Sequence, residues 1–72
     1  MFNREAAKTE LAETAQAFLD AMAAEEHVVT LDPSTPLPVA QIALLKAAML
    51  RQTAIERFRL MCARLAVGLK GP

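Results

Sequence analysis

Apolar residues recur through the second half of the chain at 4-3-4-3-4-3-4 spacing: Leu44, Ala48, Arg51, Ile55, Phe58, Cys62, Leu65 and Leu69, with Arg51 the one interruption. That is the a/d seam of a coiled coil, a surface built to lie along another helix. A shorter line, Leu11, Ala15, Phe18 and Met22, repeats at 4-3-4 in the first half, with Leu19 and Ala23 beside it. The pattern predicts two helices. The first spans about residues 3–26, roughly 35 Å, and the second about residues 38–69, roughly 48 Å. Asn3 suits an N-cap and Glu5 the positive first turn. Gly68 and Gly71-Pro72 read as the stop of the second helix, with Lys70 suited to its C-terminal end.

Between the helices lies a proline-rich linker, about residues 27–37, with Pro33, Pro36 and Pro38 close together. Proline removes a backbone donor and restricts the residue before it, so the helix cannot continue through this stretch. Asp32-Pro33-Ser34 reads as a turn. Val28, Val29 and Leu31 read as an extended plug over the bundle end, or a short edge strand. The fold class is therefore all-α, one domain over residues 1–72: an antiparallel two-helix hairpin with unequal arms.

Plotted at about 100° per residue, the second helix carries another apolar line, Ile42, Leu45, Met49, Leu60 and Val67. One helix with two apolar faces needs two neighbours, and the first helix can be only one of them. The expected result is a homodimer forming a four-helix bundle. The longer arm is expected to overhang at its free end, leaving Phe58, Met61, Leu65 and Leu69 as the patch most available to a protein target. Met22, Met49 and Met61 read as gap-filling core, a role methionine shares with adaptable binding surfaces.

Composition supports helices. The chain is 54% hydrophobic and rich in alanine, leucine, glutamate and arginine, all strong helix formers. At 72 residues it buries little surface on folding, and small domains usually add a disulfide, a metal or a partner. Cys62 is the one cysteine and His27 the one histidine, so one chain holds neither an internal disulfide nor a closed four-ligand zinc site. Cys62 reads as a small core side chain in the seam. No cofactor, metal or catalytic residue is expected, and no enzyme activity. No signal-peptide core opens the chain, and its longest apolar stretch is too short and too polar to span a bilayer, which leads us to expect a cytoplasmic protein without membrane contact.

Net charge is zero, but unevenly distributed. Residues 1–36 hold two cations against seven anions, −5; residues 37–72 hold six cations against one anion, +5. The simplest reading is mutual attraction between the halves. Arg51 is expected to pair with a carboxylate of the first helix or of a partner and to set register there. Lys46, Arg57 and Arg64 share one side of the second helix and form a basic ridge open to phosphates or an acidic protein. Zero net charge, and phenylalanines held on apolar seams, disfavour nucleic acid.

In length and helix layout alone, the chain resembles small bacterial and phage regulators, among them anti-activators that cap transcription regulators and co-chaperones of secretion-system subunits. That resemblance implies a small protein–protein interaction module. It is also similar in layout to plasmid-encoded RNA-binding proteins of the Rop type, which would make Lys46, Arg57 and Arg64 an RNA- or DNA-facing ridge. A structural subunit of a helical assembly is the third reading.

Overall fold

The computed structural model describes residues 3–70 of the chain, and the side chains of residues 3–68. Two helices, α1 (Arg4–Val29) and α2 (Leu37–Lys70), pack antiparallel along a body of 58 × 15 × 11 Å, with no strand among the described residues. Asn3 caps α1: its Oδ1 accepts from the Glu5 and Ala6 amides at 3.0 and 3.1 Å. Side-chain capping of this kind satisfies amide donors that have no partner inside the helix.

α1 continues through His27-Val28-Val29, so Val28 and Val29 of the expected extended plug are helical, while Leu31 lies beyond the helix and is half-buried. Nothing before Pro33 blocks the helix. It closes where the Thr30 amide and hydroxyl both donate to the Glu26 carbonyl, at 3.0 and 2.9 Å. In the turn that follows, Asp32 Oδ1 accepts from the Ser34 amide and hydroxyl at 2.8 and 2.7 Å. The Ser34 amide, and then its hydroxyl, hold the Asp32 carboxyl below its ordinary value of 3.8. α2 starts at Leu37 with Pro38 in its first turn, where no backbone donor is needed, and the Val39 and Ala40 amides donate to the Pro36 carbonyl.

Gly68 does not stop α2; it lies inside the helix and is half-buried. Gly71 and Pro72 lie outside the described residues.

The buried line between the helices is made mostly of small residues, with Met61 the one large side chain fully inside it. Ala47, Ala54 and Met61 on α2 are 4%, 0% and 6% exposed; Thr14 and Ala21 on α1 are also buried. Half-buried Ala40 and Gly68 extend the α2 line, and half-buried Ala7 and Val28 the α1 line, all at seven-residue steps. Small side chains let two helix backbones approach closely along their whole length. The Thr14 hydroxyl, buried in that line, donates to the Glu10 carbonyl at 2.7 Å, and no buried side-chain polar atom lacks a partner among the described residues.

The stripe expected to face α1 is therefore displaced. Leu44, Ala48, Arg51, Phe58 and Cys62 are exposed, Ile55 and Leu65 half-buried. The packed line sits one residue earlier, a rotation of about 100°. α1 shows the same displacement: Ala17 and Ala21 pack where Phe18 and Met22 were expected, and Met22 and Leu11 are exposed.

Candidate functional site

Three ion pairs tie the acidic helix to the basic one: Arg51 Nε to Glu25 Oε1 at 2.5 Å, Arg57 Nη2 to Glu13 Oε2 at 2.7 Å, and Arg64 to Glu10. Three of the six cations of residues 37–72 thus meet three of the seven acids of residues 1–36. Each pair is partly solvated, and surface pairs contribute only about 0.2–1 kcal/mol apiece, so their main effect is to set register.

That register overturns the expected overhang. Glu10 reaches Arg64, and Ala7 shares a shallow groove with Leu65 and Gly68. α1 therefore covers α2 as far as Gly68, the last described side-chain position, and the extra length of α2 falls at the loop end. Of the expected target patch, Met61 is buried under α1 and Leu65 half-buried. Phe58 alone is exposed, and Leu69 lies outside the described side chains. Met22 and Met49 are exposed rather than core, and Cys62 is a free, exposed thiol.

Around the buried line the hairpin has two unlike faces. On α2, Leu44, Arg51, Ile55, Phe58 and Cys62 fall to one side of that line at about 100° per residue, and Lys46, Arg57 and Arg64 to the other. On α1, Leu11, Phe18, Met22 and Val29 fall to the first side, and Glu13, Asp20 and His27 to the second. Contacts join like to like. The Phe18 and Phe58 rings meet edge to face, centroids 6.2 Å apart at 78°. Val29 shares a groove with Leu44 and Ala48, and Leu11 one with Leu65. On the opposite side, Asp20 and His27 line a groove with Lys46, beside the Glu13–Arg57 pair.

The first face is thus a broad apolar surface two helices wide, with the aromatic pair near its middle and Arg51–Glu25 as its polar contact. The second is charged, with two of its cations paired to α1 carboxylates. Arg57 and Arg64, two cations of the expected basic ridge, sit on this second face with their guanidinium groups against α1 carboxylates; Lys46 stands beside them without an ion pair among the described residues.

The expected α2 stripe, Leu44 to Cys62, survives as half of the broad face. The other half, on α1, was legible only as α1's own core. The small-residue line was missed. Its signal was present in the seven-residue recurrence of Ala7, Thr14 and Ala21, and of Ala40, Ala47 and Ala54.

Among the described residues no three His, Cys, Asp or Glu side chains gather as a metal site requires, and no helix is long and apolar enough to cross a membrane. No protein-family model, no curated protein and no solved structure matches this chain.

Proposed function

We propose that the chain is a small, non-enzymatic protein–protein interaction module, of adaptor, inhibitor or anti-activator, or co-chaperone type, that works by helix packing. Its broad apolar face pairs with that of a second copy to give a four-helix bundle, and the dimer engages a protein target.

One observation carries this reading: the isolated hairpin has too much surface. It exposes 5744 Å², whereas a compact globule of 7.8 kDa exposes about 4,400 Å². The excess is roughly 1,300 Å² per chain. Two copies covering that excess would bury roughly 2,600 Å² in all, within the range of obligate dimers. Part of that apolar surface is gathered on the broad face, where Leu11, Met22, Leu44 and Phe58 are 47–61% exposed. Apolar patches of that extent are rare on monomers.

The RNA-facing alternative is weakened by the engagement of Arg57 and Arg64 with Glu13 and Glu10. Light scattering on the purified chain at two concentrations tests the proposal. A mass of twice 7.8 kDa is expected. A mass of one chain would remove the dimer, and a mass rising steadily with concentration would favour the helical-assembly reading.

Arg51 and Glu25 lie within the proposed interface, where a polar pair fixes register at a cost in stability. Arg51→Leu is expected to raise the melting temperature and to broaden the mass into mixed oligomers. A lower melting temperature with an unchanged mass would contradict that role.

A further inference from the structure

We propose that the outer ridge of α2, formed by Ile42, Leu45, Met49, Leu60 and Val67, is a docking site for an acidic amphipathic helix of the target protein. The proposal rests on the interaction-module reading and says which surface the target uses and what chemistry it brings.

The ridge lies on the side of α2 turned away from α1, and all five side chains are exposed. It also lies outside the broad face, so pairing of two copies there leaves it free. The five residues fall on a line whose three- and four-residue steps are completed by Gln52 and Glu56 midway and by Ala63 between Leu60 and Val67. That is the spacing of a surface meeting another helix, and it extends about 39 Å.

Charge selects the partner. Lys46 flanks the ridge on one side and Arg59 on the other, and neither forms an ion pair among the described residues. A partner helix with acidic residues beside its apolar stripe meets a cation on each edge. Glu56, the one acid of α2, sits in mid-ridge and accepts from Gln52 Nε2 at 3.2 Å. A matching helix therefore carries one donor, a lysine or an asparagine, at the centre of its stripe. The same central carboxylate argues against a lipid surface, which would have to bury it beside the apolar residues.

The test uses the full chain and three probes. The first is a fluorescent designed 28-residue helix with leucine at its a and d positions, glutamate at e and g, and one central lysine. The second has lysine at e and g, and the third is phosphatidylglycerol vesicles. The acidic peptide is expected to bind, and to bind more weakly as salt rises. The lysine-flanked peptide is expected to bind at least about tenfold more weakly. Leu45→Asp and Leu60→Asp should each abolish peptide binding while leaving the chain's mass by light scattering unchanged. Equal binding of the two peptides, or none of the acidic one, would overturn the proposal. So would loss of binding in Phe58→Asp but not in Leu45→Asp, since the peptide would then be replacing the second copy. Vesicle binding that Leu45→Asp removes would assign the ridge to a membrane surface instead. A wild-type mass of one chain would overturn the dimer without touching the ridge.

Discussion

Ala54→Leu is expected to lower the hairpin's melting temperature by roughly 10–20 °C, while Ala63→Leu, the same substitution on the outward side of α2, leaves its melting temperature within a few degrees of the parent. Ala54 is 0% exposed and lies in the line that Ala40, Ala47, Met61 and Gly68 continue at seven-residue steps. It lies in the same helix–helix interface as the buried Ala21 and Thr14 of α1. A leucine adds three carbons at a position with no exposed surface, so they must displace what packs against it. Overpacking commonly costs about 1–3 kcal/mol. The total stability of so short a chain is on the order of 4–10 kcal/mol. Losing a third or more of it should be plain in a circular-dichroism melt. Had the leucine stripe been the packed line, Ala48 would be the intolerant position. Ala48→Leu being far more damaging than Ala54→Leu would refute the small-residue seam.

The second large effect is expected from Phe58→Asp, which should reduce the mass of the purified protein from two chains to one. Phe58 stands near the middle of the broad face, 47% exposed in the single hairpin and in edge-to-face contact with Phe18. Central aromatic anchors dominate binding energy at interfaces, and their loss costs about 2–4 kcal/mol, or roughly 30- to 700-fold in Kd. An aspartate adds the cost of burying a charge without a partner. Because Phe58 also touches α1, Leu44→Asp serves as a second variant. Leu44 is 59% exposed and farther along the same face. Both variants should halve the mass; a dimer persisting in both would show that copies meet elsewhere.

The elements were legible in the sequence because their determinants are local. Asn3 at the cap, prolines between the helices and 3.6-residue periodicity act within a few residues of where they sit. Pairing between the halves was legible too, because charge of one sign on each helix needs no exact geometry, and Glu25–Arg51, Glu13–Arg57 and Glu10–Arg64 followed. The choice of packed line was not. Lines one residue apart share the same period, so periodicity cannot separate Ala47–Ala54–Met61 from Leu44–Phe58–Cys62. Hydrophobicity alone favours the larger side chains. Close approach of two backbones favours the smallest, and the burial found here follows that preference, with most of the larger side chains turned outward to the flanks. Val28 and Val29 were misplaced for a related reason: β-branched residues disfavour helix weakly, and continuing an established helix overrides that preference.

The central claim is that the broad apolar face is covered by another copy of the chain, and Cys62 reports on it directly. This thiol lies on that face, is exposed in the single hairpin and is the chain's one cysteine. Its modification rate by a neutral thiol reagent, measured across a dilution series, should be slow at high protein concentration, rise on dilution, and be fast throughout for Phe58→Asp. A rate that is fast and independent of concentration in the folded parent protein would mean that the face stands open to water, and would contradict the account.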